Sequence, residues 1–140
     1  MFYTCSLIEY IGRETKNKRS DVIDCLGKDA LKRILKYADV FHCEPIAKTA
    51  DDFIQSSGIS DGTFDNIALC RYSVPDYWDI GEVFARLIED YYEEKKIVDG
   101  ILEVYHSWIA DAVLNFNSDF FYQSREYIAV CYKEGEILRS

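Results

Sequence analysis

The sequence predicts an all-α fold, a compact bundle of about six helices with no significant sheet. Apolar residues recur at three- and four-residue intervals along most of the 140 residues, which is the spacing of a helix face. The segment YIAVCY at 127–132 is rich in residues that favour strands, but it has no second run to pair with, so we interpret it as helix. The length fits one domain over 1–140.

The N-terminal segment is expected to form a well-buried helix over residues 2–16. It ends near the basic stretch KNKR, where positive charge is favourable at a helix C-terminus. The early Glu9 and the lack of a basic leading region are not typical of a signal peptide. Because no apolar run reaches membrane-spanning length, we expect no membrane association and a cytoplasmic location.

Glycine and proline separate the next helices. Gly27 is expected to end a short second helix, and residues 29–41 are expected to form a third. Pro45 suits the first turn of a fourth helix. The stretch SGISDG at 57–62 is a possible soft seam within the single domain, and a further short helix is expected from about Thr63.

The second half of the chain begins at the segment YSVPDYWDIG, residues 72–81, where Pro75 disfavours helix at the residue before it. Asp76 is expected to cap the following helix by accepting a hydrogen bond from a backbone amide in its first turn. Trp108 is expected on the apolar face of the most regular helix of the chain. One helix is expected to follow the Asp76 cap and run to about residue 91, a second to span 97–116, and a third to run from about 124 to 132.

The net charge restricts the class of partner. The formal charge is −9 at pH 7. Nucleic-acid-binding proteins need clustered Lys and Arg to neutralise phosphates, and docking on anionic lipid has the same requirement. We therefore expect no nucleic-acid partner, and we expect any protein partner to be basic. The plain alternative is that the charge serves solubility alone.

The five cysteines do not form a recognisable metal or redox motif. They lie at Cys5, Cys25, Cys43, Cys70 and Cys131, without a Cys-x-x-Cys pair. Most lie among apolar residues, which favours buried free thiols in a reducing cytoplasm.

Two acid-x-x-His pairs are the candidate metal ligands. Asp39 and His42 form one pair, and Glu103 and His106 form the other. A carboxylate and a histidine at this spacing share one helix face, which is half of the ligand set of di-metal helical bundles. The alternative is that both pairs belong to the solvated surface, which we favour because acids are common in this chain. No P-loop, Rossmann glycine pattern or Gly-x-Ser-x-Gly occurs, so we expect no cofactor and assign no catalytic residue.

Four residues are candidates for contact with a partner. Asp76 and Tyr77 belong to the 72–81 segment, and Glu93 and Glu94 belong to DYYEEKK at 90–96. Tyrosine mixed with acids is typical of contact surfaces, because Tyr combines a large apolar area with a polar tip. We expect Tyr91 itself to be buried in the core. The alternative for 72–81 is a purely structural joint before a helix.

Residues 5–54 resemble a family of small uncharacterised bacterial helical proteins. The resemblance rests on an opening helix with an aromatic, a helix containing SDVIDCL, a longer helix that ends near a histidine, and a closing DDFI. Members of that family often lie beside toxin-like genes, including ADP-ribosyltransferase-like ones. The resemblance implies no catalytic residue, and residues 60–140 lie outside it.

These observations together favour a non-enzymatic cytoplasmic interaction protein, an antitoxin- or immunity-like acidic partner of a basic bacterial protein. One alternative is a small metal-binding protein or enzyme that uses the two acid-x-x-His pairs. Another alternative is an adaptor or oligomerising subunit whose wide apolar faces complete their burial on a second copy.

Overall fold

The computed structural model describes residues 1–138, and over these residues the chain forms helices and no strand. The all-α prediction is confirmed, but the described residues 1–138 form eight α-helices rather than about six. They are α1 Phe2–Thr15, α2 Arg19–Lys36, α3 Ala38–Phe41, α4 Ile46–Ser56, α5 Tyr77–Tyr91, α6 Ile97–Tyr105, α7 Trp108–Leu114 and α8 Arg125–Glu134. Short 3-10 turns lie at Glu94–Lys96 and Phe120–Tyr122.

Helix α1 is the centre of the fold. Ten of its fourteen residues are buried, and it packs most extensively along α5, with further contacts to α2 and α4. Gly81 of α5 makes the α1–α5 approach possible, because a Cβ at this position would lie 2.6 Å from the backbone nitrogen of Ser6. The wide apolar face of α1 is therefore covered on several sides, as its sequence predicts.

Helix α2 changes direction at Gly27, which has φ 79° and ψ 167°. Residues that carry a Cβ rarely adopt these backbone angles, so glycine is favoured at this position. The predicted end of a short helix at Gly27 is thus confirmed as a sharp break, after which the helix resumes.

The predicted single helix over 97–116 is wrong in one respect. Helix α6 ends at Tyr105, and α7 begins at Trp108 after an extended Ser107 with φ −89° and ψ 168°. The Ser107 hydroxyl donates to the carbonyl of Val104 at 2.7 Å and accepts from the backbone N–H of Ile109 at 3.3 Å. The apolar spacing continues through the break because both helices face the same core. Trp108 is half-buried at the rim of that core.

The short helix predicted from Thr63 is absent, and residues 57–76 form an irregular loop among the described residues. Two of its backbone N–H groups donate to carbonyls at the end of α1. The N–H of Gly62 donates to the carbonyl of Thr15 at 2.8 Å, and the N–H of Phe64 donates to that of Lys16 at 2.8 Å. The 57–62 stretch, predicted as a possible soft seam, is in this way attached to α1.

All five cysteines are free thiols, but the prediction that they are buried holds only for Cys5 and Cys131. Cys25 and Cys43 are exposed, and Cys70 is half-buried. No helix within residues 1–138 has the length and apolar composition needed to cross a bilayer.

Candidate functional site

Asp76 is the N-cap of α5, as predicted. Its Oδ1 accepts a hydrogen bond from the backbone N–H of Trp78 at 2.7 Å. This bond satisfies one of the amides that a helix leaves unpaired at its N-terminus. The preceding carbonyl, that of Pro75, accepts from Arg13 at 2.8 Å. The segment that leads into α5 is therefore fixed by one hydrogen bond to the side chain of Asp76 and another to the backbone carbonyl of Pro75.

Tyr77 lies at the edge of an aromatic cluster that joins α1, α3 and α5. Its ring packs edge-on against Tyr10 with 5.1 Å between centroids, and it is half-buried. The next residue, Trp78, contacts Phe2 and stacks on His42 at 5.5 Å with an interplanar angle of 18°. Both side chains serve packing, which favours the structural interpretation of residues 72–81.

Glu93 and Glu94 lie in the exposed stretch between α5 and α6. We call residues 89–94 the acidic turn; they are Glu89, Asp90, Tyr91, Tyr92, Glu93 and Glu94. The prediction that Tyr91 belongs to the core is wrong, because its side chain is 46% exposed. Tyr92 is the more buried of the two, and it packs on Gly100, where a Cβ would lie 2.7 Å from its ring.

Three tyrosines and one carboxylate form a connected cluster beside the acidic turn. The Tyr92 hydroxyl donates to Glu103 Oε2 at 2.6 Å and lies 2.6 Å from the Tyr132 hydroxyl. The Tyr91 ring meets the Tyr132 ring edge-on at 4.8 Å. Burial, followed by the hydrogen bonds to Glu103 and Tyr132, raises the pKa of Tyr92. The phenol therefore stays protonated and remains a donor to Glu103.

Three of the four candidate metal ligands contact other side chains. His42 is stacked on Trp78, while Glu103 accepts from Tyr92. His106 Nε2 lies 2.8 Å from Asp24 Oδ1 on the neighbouring helix α2. Within residues 1–138 there is no group of three or more His, Cys, Asp or Glu side chains positioned to hold one metal ion. Asp39 is exposed on the short helix α3.

The sequence interpretation missed a charge network built around a fully buried ion pair between Glu9 of α1 and Arg19 of α2. Glu9 and Arg19 both have side chains of 0% exposure. Arg19 donates through Nε to Oε1 of Glu9 at 2.9 Å and through Nη2 to Oε2 at 2.9 Å. Arg13 adds a bond from its Nε to Oε2 at 2.8 Å. Burial opposes ionisation of Glu9, but the charges and hydrogen bonds of Arg19 and then Arg13 outweigh burial and lower the pKa of Glu9.

This network fastens the 57–76 loop to the core. Arg19 Nη2 also donates to Asn66 Oδ1 at 3.3 Å, and Asn66 Nδ2 donates to the carbonyl of Leu114 at 2.9 Å. The enclosed carboxylate has no exposure through which a substrate could reach it. We therefore assign Glu9 a structural role. The sequence signal for this network was an acid within a wide apolar helix face.

A groove lies where the 57–76 loop meets the α7–α8 connection, and we call it the loop groove. It encloses about 520 Å³ and is lined by Tyr72, Phe116, Asn117, Ser118, Asp119, Phe121 and Tyr122. Tyr122 is 85% exposed and Tyr72 is 67% exposed. Leu69, which is 72% exposed, lines a second depression that shares Phe116 with the first. Large apolar side chains clustered at such exposure indicate a contact surface.

The loop groove is pre-formed, because side-chain hydrogen bonds join its two loops. Asn117 Oδ1 accepts from the backbone N–H of Arg71 at 2.7 Å, and Asn117 Nδ2 donates to the carbonyl of Leu69 at 3.0 Å. Ser118 Oγ accepts from the N–H of Phe120 at 3.1 Å. The predicted helices over 97–116 and from about 124 leave the run NSDFFYQ at 117–123 as a connection between them. Its three consecutive aromatics among turn-forming residues were the available signal.

The surface charge is concentrated in one half of the chain. Residues 76–140 contain 14 of the 25 acids but only 6 of the 16 bases, and so carry −8 of the formal −9. Both the acidic turn and most of the loop groove belong to this half. Comparisons with known protein families, with curated proteins and with solved structures find no match to this chain.

Proposed function

We propose that this protein is a non-enzymatic interaction protein that binds and blocks a basic protein, in the manner of an antitoxin or immunity protein. The observation that carries the proposal is the charge of −8 in residues 76–140, in the half of the chain that exposes Tyr91 and Tyr122. A potential of one sign accelerates encounter with a partner of opposite charge.

The acidic turn supports the same proposal at the level of single residues. Glu93 and Glu94 are both exposed and lie two and three residues after Tyr91, which is 46% exposed. Tyrosine and arginine are the residue types enriched at energetically important contact positions. A Lys or Arg of the partner would find carboxylates and a tyrosine ring within one short stretch of chain.

The experiment compares the tagged full chain with a Glu93→Lys/Glu94→Lys double variant as baits in a lysate of the native host, with bound proteins identified by mass spectrometry. The matched control is Asp51→Lys/Asp52→Lys, which makes the same change of charge at two exposed acids of α4. We expect the wild type and the control to retain a basic protein in near-equal molar amount and the Glu93/Glu94 variant to lose it.

Two results would contradict the proposal. The first is that no basic protein is retained by the wild-type bait. The second is that retention is insensitive to ionic strength, because contacts between exposed charges weaken as salt increases. Equal loss in both double variants would instead assign the effect to net charge and remove the role given to Glu93 and Glu94.

A further inference from the structure

We infer that the loop groove is the docking site for an arginine-bearing segment of the partner. This inference rests on the proposed function and goes further by naming the surface and the chemistry of the side chain that fills it. It adds to the acidic turn a second contact surface on the 57–76 loop and the α7–α8 connection, away from the four contact residues that the sequence suggested.

Two of the four aromatic residues that line the groove, Tyr72 and Tyr122, stay exposed although the loops that carry them are ordered. Tyr122 remains 85% exposed and Tyr72 67% exposed, although Asn117 orders the loops that carry them through bonds of 2.7 and 3.0 Å. Ordering a loop costs conformational entropy, and aromatic side chains that stay exposed do not offset this cost with the free energy of burial. A groove that is ordered before the partner arrives lowers the entropic cost of binding.

The charge in the groove selects a cationic occupant. Asp119 is the one charged residue among the seven that line it. Within residues 1–138 the Asp119 carboxylate has no hydrogen-bond or ion-pair partner, while its backbone carbonyl accepts from the N–H of Tyr122 at 3.0 Å. An exposed carboxylate in the same groove as two exposed tyrosine rings is complementary to a cation that can both ion-pair and stack.

Arginine fits these groups better than lysine does. The planar guanidinium can donate two parallel hydrogen bonds to a carboxylate such as that of Asp119. It can also lie against an aromatic face, which the compact and strongly hydrated lysine ammonium does less well. An apolar or aromatic neighbour in the same segment would cover Phe121 and the depression beside Leu69.

The test is an NMR titration of the isotope-labelled full chain with a defined probe. The probe is the acetylated and amidated peptide glycine-arginine-tryptophan-glycine, and the matched control peptide has glutamate in place of arginine. We expect saturable shifts at the amides of Tyr72 and of residues 117–122 with the arginine peptide, and none with the glutamate peptide. Equal shifts with both peptides, or no saturable shift at these amides, would overturn the inference.

Variants separate the groove from the rest of the surface. Tyr122→Ala and Asp119→Asn are each expected to weaken binding of the arginine peptide about tenfold. Tyr37→Ala removes a 44% exposed tyrosine outside the groove and is expected to leave the affinity unchanged. If light scattering shows a dimer that Tyr122→Ala dissociates, the groove is filled by a second copy and the inference is wrong.

The two proposals can fail separately. Saturable shifts confined to residues 89–94 would overturn the docking site and leave the proposed function standing with the acidic turn as its contact. Binding of the arginine peptide in the groove, without a basic host protein retained by the wild-type bait, would contradict the proposed function and leave the groove as a cation-binding surface.

Discussion

Replacing Glu9 with glutamine is expected to lower the free energy of unfolding by about 3–5 kcal/mol. Glu9 and Arg19 are joined by two hydrogen bonds of 2.9 Å, and neither side chain has any exposure. Glutamine has nearly the same shape, but its NH2 group is a donor that must face the donors of Arg13 or Arg19. The guanidinium of Arg19 is then buried without an opposite charge that fully compensates it.

Urea unfolding followed by circular dichroism measures the effect. The control is Glu14→Gln on the exposed side of α1, which is expected to change stability by no more than about 0.5 kcal/mol. Adding Arg19→Met to Glu9→Gln removes the uncompensated charge, so the double variant should be more stable than Glu9→Gln alone. A Glu9→Gln protein that unfolds within about 0.5 kcal/mol of the wild type would refute this reasoning.

The same network gives the stability a definite pH dependence. Arg19 and Arg13 outweigh burial and lower the pKa of Glu9 in the folded chain below its ordinary value of 4.5. Ionised Glu9 therefore stabilises the fold fully above the unfolded-state pKa, and this contribution is lost as the pH falls through the folded-state pKa. Urea midpoints measured from about pH 7 to about pH 3 should converge for wild type and Glu9→Gln. A constant difference down to the lowest pH would contradict the assignment.

Helix geometry leads to three other expected outcomes, each measured by urea or thermal unfolding. Asp76→Ala should cost about 1 kcal/mol through loss of the α5 cap, and an unchanged midpoint would count against the cap. Gly81→Ala should cost about 1–3 kcal/mol because its Cβ would lie 2.6 Å from Ser6 Cα and N. Adding Ser6→Ala should not restore the stability of Gly81→Ala, because the Cα and N of residue 6 remain 2.6 Å from the new Cβ. Recovery of stability in the double variant would contradict this explanation. Gly100→Ala should displace the Tyr92 ring, 2.7 Å from the new Cβ, and adding Tyr92→Leu should restore stability. A Tyr92 ring that keeps its position in Gly100→Ala would contradict this prediction.

Features that depend on neighbouring residues in the chain were predictable. The Asp76 cap and the Gly27 break are of this kind, because each needs only the backbone within one helical turn. The break at Ser107 is also local, but the apolar spacing concealed it by continuing on the same face in both helices. Spacing alone reports which side of the chain faces the core, and it does not report whether the backbone between two turns is continuous.

Candidate contact residues were predictable only by type. Tyrosine among acids pointed to residues 89–94 as a surface, but the prediction that Tyr91 is buried in the core is wrong, and Tyr92 is the more buried of the two. Gly100 decides this order, because it leaves room for the Tyr92 ring on α6. The loop groove could not be found from residues 116–122 alone, since Tyr72, which lines it, and Arg71, which Asn117 binds, lie more than forty positions earlier.

The sequence by itself determined the all-α class, the acidic surface and the local ends of several helices, because composition and short-range hydrogen bonding decide them. Only the tertiary structure decided the partners of Glu9, the exposure of Tyr122 and the meeting of the 57–76 loop with residues 115–124. The physical reason is that burial and charge pairing depend on which elements pack together. A carboxylate on a wide apolar helix face has the same local sequence whether it meets solvent, a metal ion or two arginines.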